Sequence, residues 1–337
     1  MPWPTETRSQ IPHSLSSMAT SSVTVRVPAK VNLQLSVGPV RSDGFHELAT
    51  VFQAVSLFDE VIARGRPETG ITLSVTGEGE GLLPLDGGNL AYRAAALLAD
   101  HAGIEPAVDL HVHKAIPIAG GMAGGSADAA ATLLACDALW RLAKPREELM
   151  QLATLLGSDV PFGLHGGTAI GTGRGENLTS VLSRGSFHWV FALADGGLST
   201  PAVYAECDRL RGARKVPEPY VSDMLMQAVR AGDPVLLGKA VHNDLQAAAV
   251  SLRPQLLQVL EVGEDLGALG GLVSGSGPTC AFVARDEEHA LDIAVALTAS
   301  GVCRSVRRAS GPVAGARVAG WPADGEECAA RVRVSRT

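Results

Sequence analysis

The chain has 337 residues, 46% of them hydrophobic, enough to bury a sizeable core in about two domains. A net charge of −7 and an aromatic content of 4% argue against a nucleic-acid binder, which needs a basic surface and stacking side chains. The five cysteines, Cys136, Cys207, Cys280, Cys303 and Cys328, include no CxxC pair, which disfavours a disulfide framework or zinc site and fits a reducing cytoplasm.

Residues 1–22 have no apolar secretory core and read as a disordered extension, with Met18 as an alternative start. No apolar run approaches the ~18 residues of a membrane span, so no membrane contact is expected. From Val23 the odd positions Val23, Val25, Val27, Ala29, Val31, Leu33, Leu35 and Val37 are apolar and most even ones polar. This period of two predicts a half-buried strand, bent or at an edge where Pro28 removes a ladder donor. Lys30 and Asn32 fall on its non-core face. Further strands are expected at 48–56, 60–64, 71–76 and 108–113, and a helix at 88–102 with Asn89 as N-cap. After a glycine-rich stretch at 117–129, a helix runs from Ser126 to about Ala143. Pro145 opens the next helix, which carries Glu147 and Glu148 in its first turn and stops at Gly157. Asp159 follows on a turn, with Val160 expected to be extended because Pro161 comes next.

The second half opens near residue 186 with an apolar strand, then helices at 201–210, 219–231, 234–247 and 253–266. Residues 270–284 read as strand, glycine turn, strand; a helix at 286–300 and a strand at 303–308 follow. Residues 311–337 read as a loose tail. Antiparallel pairs mixed with helices give an α+β fold, divided into domains at 23–180 and 181–310.

Strand, glycine loop, helix is an arrangement that binds anionic phosphate, because backbone N–H groups and the helix N-terminus converge there. Gly120, Gly121, Gly124 and Gly125 would let the backbone approach closely. Ser126 is placed as an N-cap or as a hydroxyl ligand to phosphate-bound Mg²⁺. The loop lacks the Walker lysine, and its paired glycines do not match a dinucleotide-binding turn. Alone, it reads equally well as a connector or a tight helix–sheet contact. Asp159 alone reads as a helix cap, Lys30 as a solvated strand lysine, and Phe45-His46 as a core aromatic beside a surface histidine.

Taken together, "PIAGGMAGGSADAA", "PAKVNLQLSVGPVRSDGFHEL" and "SGSGPTCAFV" resemble the three motifs of the GHMP small-molecule kinase superfamily, in the same order. The resemblance runs from about Val23 to Val318. It is closest to the branch acting on a cytidine diphosphate derivative of methylerythritol, through Ala29–Leu33, Asp43–Leu48, Gly157–Phe162 and His242–Leu245. The chain departs from the usual loop at Met122 for leucine, Ala127 for a second serine and Asp128 for asparagine.

The resemblance implies a two-domain GHMP kinase fold with the active site in the cleft between the domains. It implies ATP-dependent phosphorylation of the 2-hydroxyl of that derivative, in the non-mevalonate route to isoprenoid precursors, with ATP and Mg²⁺ as cofactors. By the same resemblance Asp159 is the catalytic carboxylate, paired with Lys30. Pro117, Ala119, Gly120, Gly121, Met122, Ala123, Gly124, Gly125 and Ser126 hold ATP phosphates, with Ser126 toward the metal. Asn89 and Lys114 line the adenine and ribose. Asn32, Phe45, His46, Phe52, Thr200, Tyr204, Gly275 and Gly277 contact the substrate, the base lying between Phe45 and Tyr204. His242-Asn243-Asp244 matches without an implied role. A monomer or homodimer with a small-molecule substrate is expected. The competing readings are a homoserine or mevalonate kinase, which should lack the Phe-His pair, and a ligand-sensing relative without Lys30 or Asp159.

Overall fold

The computed structural model describes residues 21–118 and 120–319; most of the expected N-terminal extension, the tail beyond 319 and Ala119 lie outside the described residues. The period-two sequence that starts at Val23 forms β1 (Ser22–Val40). It pairs antiparallel with β2 (His46–Gly65), one long strand where the sequence suggested two. The ladder shifts register between Pro28 and Ala29, where the missing proline N–H is absorbed at an irregularity.

Beyond β2 come β4 (Ala107–Lys114) and then, parallel to it, the edge strand β3 (Gly70–Gly77). On the first half of β2 lies β5 (Thr168–Gly173), which forms a hairpin with β6 (Asn177–Ser180). The sequence did not predict this hairpin. Five glycines between 166 and 175 dilute the alternation that marks a strand.

Helices α1 (Leu90–Ala102), α2 (Gly124–Trp140), α3 (Arg146–Leu156) and α4 (Val160–His165) accompany this sheet. Asn89 caps α1 through Ala91 N–H at 2.9 Å. The alanine-rich α2 lies against β1 and β2 and is buried nearly all round, its small side chains letting neighbouring backbones come close. Its last residue is Trp140, three residues before the expected end, because Arg141 turns left-handed (φ 56°). Val160 is helical, not extended. Pro161 sits in the first turn of α4, where its missing N–H costs nothing, and this outweighs its bias on the preceding residue.

The second sheet is antiparallel, in the order β11 (Ser305–Gly311), β7 (Phe187–Leu193), β10 (Cys280–Ala284), β9 (Gly270–Val273). Phe187, Trp189, Phe191, Ala281 and Val283 belong to the same core as β1 and α2. Val190, Phe282 and Val273 belong to a second core built on α5 (Thr200–Arg211), α8 (Gln246–Leu252), α9 (Gln255–Asp265) and α10 (Glu287–Ser300). Two further helices are α6 (Asp223–Ala231) and α7 (Pro234–Ala240). The single helix expected at 234–247 is therefore two, split by β8 (His242–Asn243), which pairs parallel with β1 at Gln34 and Leu35. Tertiary pairing overrides local helix propensity there.

The expectation of a loose tail from 311 is corrected over 312–319. β12 (Arg317–Val318) pairs with β1 at Val25 and Arg26. Val313 N–H donates to the Ala54 carbonyl at 3.1 Å and Ala316 N–H to Gly163 at 2.8 Å. Gly166 (φ +66°) accepts this segment so closely that a Cβ there would lie 1.9 Å from Gly315 N. Unpaired, the β1 edge would expose backbone donors and acceptors. A chain ending at Gly311 should melt several degrees below one ending at Ala319 in scanning calorimetry; equal melting would show that the segment adds no stability.

Candidate active site

A cleft of about 940 Å³ opens where β1, the glycine-rich loop, the 157–159 turn and the 274–277 turn meet. Lys30 and Asn32 reach it from β1, yet both are buried, at 6% and 3% exposure, because the face opposite the core is covered by these loops. Lys30 Nζ donates to Asn32 Oδ1 at 2.6 Å and lies 3.8 Å from Asp159 Oδ2. Asn32 in turn donates to Thr50 Oγ1 at 2.8 Å, which donates to the Gln34 carbonyl at 2.7 Å. The Phe52 ring, with its centroid 5.5 Å from Nζ, faces the same ammonium. Burial pushes the Lys30 pKa below the ordinary lysine value, and the Asp159 charge partly counters this. Asp159 occupies the N-cap position of α4 but makes no capping hydrogen bond, so its carboxylate is left to face the cleft.

From the loop, Pro117, Gly120, Gly121, Ala123, Gly124, Gly125 and Ser126 line the cleft. Ala119 lies outside the described residues. The Met122 side chain is fully buried in the core and does not line the cleft; its carbonyl instead accepts Lys30 N–H at 3.3 Å. Gly121 (φ +71°) meets the 274–277 turn so tightly that a Cβ would fall 1.9 Å from the Ser274 carbonyl oxygen. Ser274 Oγ donates to the Gly121 carbonyl at 3.2 Å. Across the cleft, Gly275 lies against Lys30 and Asn32: a Cβ there would stand 3.4 Å from Nζ and 3.5 Å from Oδ1. Gly277 lines the same wall.

Two expected nucleotide contacts are corrected. Asn89 does not line the cleft; its amide donates to the Pro84 carbonyl while its oxygen caps α1. Lys114 is buried beneath the loop, its ammonium 2.5 Å from Asp59 Oδ2 and 2.6 Å from Asp128 Oδ2. Desolvation would lower its pKa, but the two carboxylates outweigh burial and raise it. Asp59 Oδ1 also accepts Ala115 and Ile116 N–H, so the triad ties the chain entering the loop to the helix leaving it. This reassigns Lys114 from nucleotide contact to loop anchor, a role invisible while Asp59 stood 55 positions away in sequence.

The triad holds two carboxylates for one lysine. Burial, the largest influence, and the Asp59 charge push the Asp128 carboxyl up to about 8, and its Oδ1 has no hydrogen-bond partner among the described residues. In the folded state Asp128 keeps a proton that the unfolded chain has already released. Its contribution to stability is therefore fully present below the ordinary carboxylate value and is lost as pH rises toward about 8. Asp128→Asn supplies an amide donor without the proton. Between pH 5 and pH 8 the melting temperature of the wild type should fall relative to that of D128N; parallel curves would refute the protonated carboxyl.

Asn243 explains part of the His-Asn-Asp motif. It is 4% exposed, donates to the Val273 and Gly275 carbonyls at 2.6 and 2.7 Å, and accepts Leu245 N–H at 2.9 Å. It thus joins β8 to the turn that faces Lys30. Asp244 accepts Val37 N–H at 2.8 Å and binds His242, whose pKa that hydrogen bond raises. Asn243→Ala leaves both carbonyls unpaired. It should lower kcat roughly ten- to hundredfold at saturating substrates, through displacement of the turn. An unchanged kcat in folded N243A would show that the turn keeps its place without it.

On the far wall, His46, Phe45, Phe52, Thr200 and Tyr204 all line the cleft. The Tyr204 ring stands 5.1 Å from His46, and its phenol pKa is raised by burial and then by Asp159. Phe45 is 52% exposed at the cleft mouth under the Arg174 guanidinium, 5.0 Å from its ring centroid. Thr200 Oγ1 meets Ser276 Oγ at 2.8 Å, joining α5 to the 274–277 turn. Arg174, Asp208 and Ser276 also line this wall and were missed, because single polar residues in a hairpin, a helix and a turn carry no sequence signal.

Residues 89–167 match the N-terminal domain of GHMP kinases and residues 225–303 the C-terminal domain. With the two-lobed fold and the similarity below, the chain belongs to the GHMP kinases. A 4-diphosphocytidyl-2-C-methyl-D-erythritol kinase from Thermobifida fusca is 59% identical over 306 residues, covering 89% of this chain and 99% of that protein. The enzyme of the same name from Mycobacterium tuberculosis is 55% identical over 305 residues, covering 90% of this chain and 95% of the relative. A crystal structure of 4-(cytidine 5'-diphospho)-2C-methyl-D-erythritol kinase superposes with a TM-score of 0.68 at 34% identity, over 85% of this chain and 98% of that one. A homoserine kinase from Cytophaga hutchinsonii, 20% identical, superposes with a TM-score of 0.69 over 88% and 97% of the two chains and shares the fold.

Proposed function

We infer that this chain transfers the γ-phosphoryl group of ATP to the 2-hydroxyl of 4-diphosphocytidyl-2-C-methyl-D-erythritol, in the non-mevalonate route to isoprenoid precursors. The observation that carries the reading is the Lys30–Asp159 pair, held between the glycine loop on one side and His46 and Tyr204 on the other. Relatives of that name at 55–59% identity support it and leave the homoserine and mevalonate readings with the shared fold alone.

Phosphoryl transfer to an alcohol needs a held triphosphate, an aligned hydroxyl and a place for its proton. In this reading the loop N–H groups and the start of α2 hold the phosphates. Asp159 accepts the hydroxyl proton as the oxygen attacks. Lys30 lies between Asp159 and the acceptor, where its ammonium would offset the negative charge that develops, and Asn32 fixes its direction. Asn32, Gly275 and Gly277 border the acceptor, and Phe45, Phe52, His46, Thr200 and Tyr204 hold the nucleotide part of the substrate.

The described residues include no cluster of three or more His, Cys, Asp or Glu able to hold a metal. This donor set suits a cation such as Mg²⁺ that arrives bound to phosphate oxygens and keeps few protein ligands. In this reading the Ser126 hydroxyl would hold it, and when bound it would neutralise phosphate charge. No helix among the described residues is long and apolar enough to cross a membrane. Free Cys136, Cys207, Cys280 and Cys303 fit a reducing cytoplasm.

Asp159→Asn should lower kcat by about 10²–10⁴-fold while ATP still binds, read by ADP release with the cytidylyl substrate, mevalonate, homoserine and galactose as acceptors. Turnover confined to mevalonate or homoserine would overturn the substrate, and near-normal kcat in D159N would overturn the catalytic assignment.

A further inference from the structure

In the Lys30–Asp159 pair the ammonium stands off the carboxylate. Nζ is 3.8 Å from Asp159 Oδ2, too long for a hydrogen bond, and 2.6 Å from Asn32 Oδ1. The ladder between β1 and β2 slips by one residue just beyond Asn32, so that Asn32 stands opposite Phe52 and Leu35 opposite Thr50. A slip of this kind breaks the ladder locally, and the Thr50 hydroxyl bridges the break. Thr50 is fully buried; its Oγ1 donates to the Gln34 carbonyl at 2.7 Å and accepts from Asn32 Nδ2 at 2.8 Å. A hydroxyl has a single hydrogen, and the Gln34 carbonyl takes it. Toward Asn32 it can offer only a lone pair, so the amide presents its NH2 to Thr50 and its oxygen to Lys30. The ammonium, with three donors and no acceptor, demands the same orientation from the other end.

We propose that Thr50 is a positioning residue for phosphoryl transfer: its hydroxyl fixes the Asn32 amide and, through that amide, holds the Lys30 ammonium out of direct contact with Asp159. The proposal rests on the reading of Lys30 and Asp159 as the reacting pair given above. An ammonium in contact with the carboxylate would occupy the oxygen that has to receive the acceptor's proton and would weaken it as a base. Held at 3.8 Å, Lys30 keeps a hydrogen for the acceptor oxygen and Asp159 keeps an open lone pair. Thr50 borders the cleft, but its burial leaves it to act through Asn32 and not by touching a ligand.

The test is a double-mutant cycle in the whole chain, read by steady-state ADP release with ATP and the cytidylyl substrate. Thr50→Val keeps the shape of the side chain and removes its hydroxyl. It should lower kcat about ten- to hundredfold and leave the KM for ATP within about twofold. Thr50→Ser, which keeps the hydroxyl, should hold kcat within about threefold of the wild type. Added to Asn32→Ala, T50V should cost nothing further, because the group it positions is gone. A purely structural loss would instead multiply with that of N32A. Near-normal kcat in T50V would overturn the proposal, and so would multiplying effects of T50V and N32A. If T50V does not fold, Thr50→Cys, whose thiol is only a weak donor and acceptor, carries the same expectations. Full kcat in Lys30→Met would overturn the reading of the reacting pair itself, and this inference with it.

Discussion

The structure is organised around the cost of keeping one ammonium group inside. Lys30 sits in the middle of β1, where it is buried and a lone charge would be untenable. Its compensation comes from three separate parts of the chain: Asn32 two residues on, Asp159 after α3, and the Phe52 face from β2. Each partner requires its own backbone arrangement. Asp159 must stand at the start of α4 without using its carboxylate as a cap, and the 274–277 turn must approach with no side chain at Gly275. The glycine loop is held against the same lysine through its backbone, Met122 carbonyl to Lys30 N–H. The buried charge is thus also what registers the loops with one another.

Beneath the loop, the second buried lysine works differently. Lys114 has two carboxylate partners, and one of their oxygens lacks a mate among the described residues. A neutral amide could serve such a site as a protonated carboxyl does, because either supplies a donor. The aspartate here is tolerated because a proton can take the place of the missing donor. The energetic consequence is local to the loop anchor and distinct from the Lys30–Asp159 pair in the cleft.

Much of this was legible in the sequence where the signal was periodic or the motif extended. Alternation from Val23 to Val37 gave β1, and the motifs together with the Gly157–Phe162 stretch brought the loop, Lys30 and Asp159 to one cleft. What escaped has physical causes. The β5–β6 hairpin is diluted by glycine, β8 is only two residues long, and residues 312–319 are ordered by edges and carbonyls donated by distant strands. The resemblance implied ligand contacts for Lys114 and Asn89, and for Asn89 the helix-cap reading made beside it is the one the structure shows, because a matched motif does not reveal which partners a polar side chain already has. Asp59 and the α1 terminus had claimed both. Asp208 carried no signal because only the fold brings it opposite His46.

The second sheet sends Trp189 and Phe191 into the same core as β1 and α2, and Trp189 Nε1–H donates to Gln53 Oε1 on β2 at 3.1 Å. Paired domains usually swing about a thin, polar contact. A dry seam of aromatic side chains leaves no such joint, since opening it would expose core surface to water. Parting the two sheets would strip Trp189 and Phe191 of their core neighbours, so the seam acts as a keystone rather than a hinge between the cleft's walls.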